Sequence, residues 1–328
     1  MPEGDRSGAV RIFATLTRYW FLIGLAAVLA LTVGDSSRTV AAFGLWIGTR
    51  GGPDAVIVLI FLFSGWLLDP HQVRAGLQDT AGTASTLAVI FLVSPIVAAL
   101  LSRIPLETGV LIGLLIVAAM PSTLSSGVVM SGAAGGNMAH ALFVTVLANI
   151  LAVFVIPVSL ALLLDLGGNP TSVVIDKWGI MFKLGGYVLL PLAGGALIRR
   201  ICSSSLLQYQ PVAQLLNQLM VLGIVWMGLS QTRDAIISGG ASLLVIVAVA
   251  VVFHALLLAS AALLARVLRL GRGRRESLFF IGTQKTLPLS IILQVSLFPT
   301  YGLALVFCVV HHIVHLMMDG YLVGRLRH

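Results

Sequence analysis

Ten long apolar runs follow one another along this chain of 328 residues, and they constrain its fold more than any other feature. Each run has about 17–25 residues, the length that a helix needs to cross the hydrocarbon core of a bilayer. The chain is 58% hydrophobic and 10% charged, and its mean hydropathy of +1.04 excludes a soluble domain with a polar surface. We therefore predict an all-α polytopic membrane protein with ten transmembrane helices. The predicted spans lie near residues 17–33, 53–69, 82–102, 108–131, 138–164, 174–198, 211–231, 241–265, 276–298 and 301–322.

The loops between these spans differ in their content of lysine and arginine. Thirteen of the twenty basic residues lie on the side shared by both termini, five lie opposite them, and Lys183 and Lys285 lie within spans. Cytoplasmic loops carry such an excess, so both termini are predicted to be cytoplasmic. The net charge of +8 is therefore a topology signal, and binding of nucleic acid is not expected.

The stretch from Asp165 to Thr171 divides the chain into two halves of five spans each, 1–165 and 166–328. Because five is odd, the second half enters the membrane in the opposite sense, which is the arithmetic of an inverted repeat. The fourth spans of the two halves match: residues 120–126 read MPSTLSS and residues 284–290 read QKTLPLS. We expect these two proline-broken segments to meet near the middle of the membrane.

Lys285 lies near the centre of the ninth predicted span. A charged side chain at mid-bilayer costs about 2.5–3.5 kcal/mol even on lenient insertion scales, so it needs a partner, a cavity or a substrate. Pro288 removes a helical hydrogen-bond donor three residues later. The polar neighbours of the lysine are Thr283, Gln284 and Thr286. Broken helices occur at membrane depth only where freed backbone groups meet protein or water, so this stretch predicts a substrate or ion site.

The counterpart in the first half is rich in hydroxyl groups. Pro121 is followed by Ser122, Thr123, Ser125 and Ser126, and Asn137 continues the polar run into the fifth span. Hydroxyl oxygens and loosened carbonyls suit a hard cation or a polar substrate. The alternative is close helix packing, for which small residues are also favoured.

Three segments together resemble one family: FLFSGWLL at 61–68, AAMPSTLSSGVVMSGAAGGNMAHAL at 118–142 and GTQKTLPLS at 282–290. They are similar to the bile acid:sodium symporter superfamily, and within it to the SBF-like bacterial branch with a lysine in the ninth helix. The resemblance implies a panel of helices 1, 2, 6 and 7 and a core of helices 3–5 and 8–10. It also implies that discontinuous helices 4 and 9 cross, with ion sites behind the crossing and a small organic anion in front.

The ion sites that the resemblance implies are only partly matched. Ser126, Thr145 and Gln284 stand where the family has sodium ligands. Four other positions carry a residue that does not match: Ile90, Gly127, Ala141 and Phe280. Lys285 stands where the family has an asparagine. Two sodium sites are therefore not expected, and the lysine ammonium would replace a bound cation.

Three roles for Lys285 stay open at this point. Deprived of water, the amine would load and release a proton during transport, or it would hold an anionic substrate. Alternatively, a permanently charged lysine would lock the crossing through hydrogen bonds to carbonyls and take no part in transport. We expect the amine to lie among the oxygens of Ser122, Thr123, Ser125 and Ser126.

The tenth predicted span contains His311, His312, His315 and Asp319. His312 and His315 are three residues apart and share a helical face, so a proton relay is possible, and so is a structural role with bonds to carbonyls. His140 and His254 are interpreted as isolated interhelical histidines. No metal site is predicted.

Enzymatic signatures such as HExxH and GxSxG do not occur in the sequence, and an enzyme is not expected. The leading interpretation is a secondary transporter of a small organic anion in the bacterial inner membrane, as a monomer or homodimer. A non-transporting regulator of the same fold and a sodium-coupled symporter with a degenerate site are the alternatives. No cofactor is expected, and the coupling ion is left open between one sodium ion and a proton.

Overall fold

The computed structural model describes residues 20–21, 23–69, 79–124, 126–168, 175–201 and 208–326. All regular elements in this part of the chain are helices. We number them α1 (Ile23–Gly34), α2 (Thr39–Gly48), α3 (Gly52–Leu67), α4 (Thr80–Leu101), α5 (Thr108–Ala119), α6 (Ser126–Ala133), α7 (Met138–Leu166), α8 (Lys177–Ile201), α9 (Gln210–Ser238), α10 (Ala241–Val267), α11 (Arg275–Thr283), α12 (Leu287–Leu297) and α13 (Gly302–Leu326). Two of these helices contain a π-helical segment, α4 at Val89–Val93 and α8 at Gly185–Leu189.

Seven segments of the described chain are long and apolar enough to cross a membrane. They are α4, α7, α8, α9, α10, α13 and the segment Arg275–Leu297, which contains both α11 and α12. The bent pair of α1 and α2 would be an eighth, and α3 and α5 are shorter apolar helices. The prediction of an all-helical, multi-pass membrane protein is confirmed. The exact number of ten spans stays a prediction.

Helix α2 was not predicted. Its ten residues are too few to cross a bilayer, so the search for long apolar runs passed over it. The helix axis turns by 109° from α1, and α2 packs along α9. Phe43 and Trp46 stack on its outer face with ring centroids 5.9 Å apart, and both side chains are more than half exposed. Aromatic side chains in such positions are typical of the membrane interface.

Helices α3, α8 and α9 pack closely together. The closest approach is between α3 and α8, where Gly65 lies against the carbonyl of Leu192 and Gly195 lies against the carbonyl of Leu62. A Cβ atom at either glycine would overlap the facing oxygen, so only glycine permits this contact. Arg233 of α9 also donates hydrogen bonds to the carbonyls that end α1, among them those of Thr32 and Asp35.

Helix α5 is buried on all sides and lies in the interior. It packs on α13, where Gly113 faces Phe307, and on α4 and α7. Helices α10 and α13 also pack on each other, and α11 contacts α4, α6 and α10. This second group of helices surrounds the two interrupted segments.

Both predicted broken spans are interrupted in the structure. Helix α5 ends at Ala119 because Pro121 forces Met120 into an extended conformation, with ψ of 149°. The next helix, α6, begins at Ser126, after six intervening residues. In the second half, α11 ends at Thr283, and α12 begins at Leu287 with Pro288 in its first turn, where a proline is tolerated.

Candidate functional site

The two interrupted segments contact each other through their backbones. The amide of Thr286 donates to the carbonyl of Pro121 over 3.0 Å. Since neither atom has a helical partner at a break, each satisfies the other. We call the residues 118–126 and 283–288 the crossing. Two chain segments 165 positions apart are thereby joined at one point.

The ammonium of Lys285 is buried in a cage of backbone oxygens. Its Nζ atom donates to the carbonyls of Met120 at 2.9 Å, Ile90 at 3.0 Å and, more weakly, Ala118 at 3.5 Å. Only 1% of the residue is exposed. Three acceptors match the three donors of a charged lysine. The expectation that the amine lies among the serine and threonine hydroxyls was wrong, because the carbonyls at the helix break are the nearer unpaired acceptors.

These carbonyls lack a helical hydrogen-bond donor for identifiable reasons. Those of Ala118 and Met120 belong to the last turn of α5, where carbonyls have no helical donor and the helix dipole favours a cation. That of Ile90 lies in the π segment of α4. The amide of Ser94, its usual donor, bonds to Val89 instead, and the next residue, Pro95, has no N–H group. The Ala118 carbonyl also accepts a hydrogen bond from Ser94 Oγ over 2.9 Å, so Lys285 supplies the donor that the carbonyls of Ile90 and Met120 lack.

The side chain of Gln284 binds the hydroxyl groups of the first break, the segment between α5 and α6. Its Oε1 atom accepts hydrogen bonds from Thr123 Oγ1 and Ser126 Oγ, each over 2.8 Å. Its Nε2 atom donates to Asp319 Oδ2 over 2.8 Å and contacts the sulfur of Met130. The residue is completely buried. Gln284 thus links the crossing to a carboxylate on α13.

The remaining predicted site residues fall into two groups. Thr286 and Ser122 lie at the crossing, and the buried hydroxyl of Ser122 has no partner among the described residues. Thr283, Thr145 and Asn137 bond within or at the start of their own helices: to the Phe279 carbonyl, the Ala141 carbonyl and the His140 amide. Asn137 caps the start of α7 and is not brought to the crossing. Ser125 is outside the described residues.

A second polar group lies between α10 and α13. His312 Nδ1 and His315 Nε2 are 2.9 Å apart, and His254 Nε2 lies 3.0 Å from Asp319 Oδ1. The histidine on α10, interpreted as isolated from its sequence context, is therefore paired with an aspartate. Within the described residues, no group of three or more His, Cys, Asp or Glu side chains is arranged to hold a metal ion.

A cavity of about 370 Å³ lies between the crossing and helices α3, α8 and α9. Thr123, Ser126 and Thr286 form part of its wall on the crossing side, and His312 also contributes. The opposite wall combines apolar side chains, among them Phe61 and Leu67, with six polar ones: Ser64, Arg199, Gln210, Gln214, Asn217 and Gln218. Lys285 does not line it. Asp69 lies at the same cavity.

An ion pair anchors the start of α11, the end of that helix away from the crossing. Arg274 Nε donates to Asp79 Oδ2 over 2.7 Å, and the two side chains make a second, shorter contact. Partial burial alone would raise the pKa of Asp79, but the Arg274 guanidinium and the Gly82 amide outweigh it and lower that pKa below its ordinary value. The same contact raises the pKa of Arg274. The pair joins the start of α4 to the start of α11.

A comparison with family models identifies the kind of protein that carries this crossing. The model of the SBF-like CPA transporter family matches residues 19–328. The chain belongs to this family. It is a family of membrane transporters and not of enzymes, so the interpretation of the sequence as a transporter of the bile acid:sodium symporter type is confirmed.

Several curated relatives of this SBF-like protein are similar along most of its length. A probable sodium/metabolite cotransporter BASS4 of the chloroplast, from Oryza sativa subsp. indica, is 29% identical over 287 residues, 82% of this chain and 67% of the relative. Sodium/bile acid cotransporter 7 of Danio rerio is 27% identical over 229 residues, 66% of this chain and 63% of the relative. An uncharacterized protein of Pseudomonas aeruginosa is 26% identical over 312 residues, 92% of this chain and 90% of the relative.

Three features of the SBF-like site were missed from the sequence. An aspartate within an apolar span requires a partner on a neighbouring span, and this rule applied to Asp319 would have directed attention to His254. Pro95 in the third predicted span is the signal for the free Ile90 carbonyl. Glutamines at 210, 214 and 218 recur every four residues and predict a polar helix face.

Proposed function

We propose that this SBF-like protein is a secondary transporter that moves a small organic anion by alternating access. The observation that carries the proposal is the cavity of about 370 Å³ that ends on two interrupted helices. Transporter sites are formed where discontinuous helices expose backbone and short polar side chains to a water-filled space. The names of the relatives, which are sodium/metabolite and sodium/bile acid cotransporters, support transport as the activity.

The chemistry of the cavity supports an acidic substrate. Arg199 lies in its wall, and one of its guanidinium nitrogens donates to the carbonyl of Trp66 over 3.1 Å. The amides of α9 and the hydroxyls of the crossing add neutral donors. A carboxylate accepts bonds from both kinds of group. The volume is near the lower end of the range for small-molecule sites, which favours a small substrate.

Lys285 takes the place of a bound cation in this proposal. Its ammonium donates hydrogen bonds to the carbonyl oxygens at the crossing, which a metal ion would otherwise coordinate. The positions where the family resemblance implies sodium ligands support this assignment: Ile90 and Ala141 belong to a buried apolar cluster with Val144 and Ile281. Apolar side chains offer sodium no oxygen. We infer that transport does not depend on two sodium ions.

The architecture of the transporter is proposed along the same lines. Residues 1–165 and 166–328 would be inverted repeats of five spans each, with both termini in the cytoplasm of a bacterium. Helices α1, α3, α8 and α9 would form the panel, and the other long helices would form the core. The close glycine contacts between α3 and α8 and the burial of α5 support two separate groups. The cavity lies between them.

Uptake into proteoliposomes tests this function. We expect one or more labelled organic acids from a panel to accumulate without sodium, and Lys285→Ala to reduce uptake to the background. Lys183→Ala is the matched control, because Lys183 also lies in a span but bonds to the exposed hydroxyl of Ser296. Equal rates for wild type and Lys285→Ala would contradict a role for the lysine.

A second candidate is a sodium-coupled symporter with one altered ion site. The relatives' names favour it, and so does the close group of three oxygens from Thr123, Ser126 and Gln284. Imposing sodium and proton gradients separately distinguishes the two. Sodium-stimulated uptake would support the symporter and contradict sodium independence. A regulator that transports nothing would bind no member of the panel in thermal-shift measurements.

A further inference from the structure

Five ionisable side chains lie between α10 and α13 in surroundings that are otherwise apolar. They are His254, His311, His312, His315 and Asp319, and none of them is more than 5% exposed. We propose that they form a proton pathway from the cavity to the His254–Asp319 pair, which is the proton-binding site of this transporter. The inference rests on the proposed function, because a coupled proton requires a transported substrate.

The pathway begins at the cavity wall. His312 lines the cavity, so one end of the chain of rings is accessible to water. On the opposite side, its Nδ1 atom lies 2.9 Å from Nε2 of His315. The two rings are nearly perpendicular, with centroids 4.6 Å apart. The first step of a proton transfer is therefore an existing hydrogen bond.

The middle of the pathway consists of three neighbouring rings. The centroid of His315 lies 5.7 Å from that of His254 and 5.4 Å from that of His311, and His311 lies 5.9 Å from His254. One nitrogen of each ring, namely His254 Nδ1, His311 Nε2 and His315 Nδ1, is buried with no partner among the described residues. Leaving a buried polar group unpaired costs about 1–3 kcal/mol. Proton transfer along the pathway uses two of these atoms, His315 Nδ1 and His254 Nδ1.

The pathway ends at a carboxylate that is already linked to the crossing. Asp319 Oδ1 lies 3.0 Å from His254 Nε2, and Asp319 Oδ2 accepts a bond from Gln284. The other end of Gln284 holds the hydroxyls of Thr123 and Ser126. Protonation of the carboxylate weakens it as an acceptor for Gln284. The bond that ties α13 to the crossing is therefore sensitive to the proton.

The proton balance is simple. A proton enters at Nε2 of His312, and the Nδ1 proton of that ring passes to Nε2 of His315. His315 Nδ1 and His254 Nδ1 are not hydrogen-bonded in this structure, so a rotation of the rings must first bring them together. His315 then releases its Nδ1 proton to Nδ1 of His254, and His254 gives its Nε2 proton to Asp319 Oδ1. Each ring gains a proton on one nitrogen and loses one from the other, so it ends neutral in the opposite tautomer. Imidazole is the side chain suited to such steps near neutral pH.

Few other charges face this group. Lys285 is the nearest cation, and its charge disfavours a second positive charge close by, which promotes release of the proton. Helices α1, α5, α6 and α12 carry no ionisable side chain. The others on packed helices are engaged elsewhere: Arg233 and Asp234 near Asp35, Glu276 with Gly273, and Arg325 with Tyr321. Arg266 lies in the last turn of α10, and Cys308 is a buried thiol on α13.

Infrared difference spectroscopy after a pH jump tests the pathway on the purified protein in lipid nanodiscs. The bands of the pair are those that disappear in Asp319→Asn. We expect wild type to show them after a jump to lower pH. His312→Phe should slow their appearance at least tenfold, because it removes the entry ring. His140→Asn is the control, since that buried histidine belongs to the Asp79 group and should leave the rate unchanged.

Two results would overturn the inference. One is a spectrum without protonation of the pair after the pH jump, and the other is an unchanged rate in His312→Phe. If His312→Phe does not fold, His315→Gln gives the same test at the second ring. Uptake of an organic acid without these bands would contradict the pathway and leave the proposed transport intact. Bands without any uptake would support the proton pathway and contradict the proposed transport.

Discussion

The two helix breaks that meet at the crossing are built differently. The first, between α5 and α6, offers mostly acceptors and short hydroxyls: the carbonyls of Met120 and Ala118 and the side chains of Thr123 and Ser126. The second, between α11 and α12, contributes two long side chains, Gln284 and Lys285. A repeat that used the same residues twice would leave either acceptors or donors unpaired. The hydrogen-bonding groups of the two breaks are therefore complementary.

The complementarity also separates two tasks within the second break. Lys285 satisfies backbone groups and never reaches the cavity wall. Gln284 satisfies side chains and continues to Asp319. One residue therefore closes the crossing and its neighbour connects it to α13. Substitutions at each break should reveal this division.

Loss of the lysine should have the largest effect. Lys285→Ala leaves the carbonyls of Ile90 and Met120 buried without a donor, at a cost of about 1–3 kcal/mol for each. We expect a clear decrease of the melting temperature in detergent and loss of uptake. Lys183→Ala should change stability by less than about 1 kcal/mol. A Lys285→Ala protein that melts like wild type would mean that the carbonyls have other partners.

A carboxylate in place of the Gln284 amide should have the next largest effect. Gln284→Glu places two carboxyl groups at the position of a 2.8 Å hydrogen bond, and we expect about 1.5–3 kcal/mol of destabilisation. The double variant Gln284→Glu with Asp319→Asn restores a carboxylate and amide pair in reverse order. It should regain at least half of the lost stability in chemical unfolding. Purely additive effects would show that the two side chains are not coupled.

Two adjacent hydroxyls of the first break should behave differently. Thr123→Val removes a bond to Gln284 and should cost about 0.5–1.5 kcal/mol. Ser122→Ala removes a buried hydroxyl that has no partner among the described residues, so its effect should be near zero. Thermal unfolding of both variants measures the contrast. Equal losses would indicate that Ser122 has a bond that the structure does not contain.

The smallest effect concerns the ion pair that anchors α11. The pKa of Asp79 is lowered in the folded protein, so the pair stabilises at pH values above the ordinary carboxyl pKa of about 3.9. That contribution is lost as the pH falls through the lower folded value. Asp79→Asn should be less stable than wild type at neutral pH, and the difference should shrink below about pH 4. A constant difference across this range would contradict the assignment.

Much of this arrangement could be read from local sequence signals. Apolar length predicted where the helices lie, and Pro121 and Pro288 predicted the two interruptions. The partners of Lys285 could not be read in this way, because they are backbone carbonyls and any residue type supplies one. Helix α2 escaped because ten residues give too short an apolar run. The pairing of His254 with Asp319 depends on how α10 packs on α13, which no single span encodes.

The buried charges of Lys285 and Asp319 have a consequence for the response of the proposed transporter to voltage. In the transport cycle that we propose, an ionised Asp319 and a charged Lys285 cancel each other's charge. A proton on the pair leaves one net positive charge there. Moving one elementary charge through a membrane potential changes the free energy by about 2.3 kcal/mol per 100 mV. An interior-negative potential would then favour the inward position of the protonated carrier when no anion is bound. A bound monovalent organic anion would cancel that charge, so the proton would make the loaded transport step electroneutral.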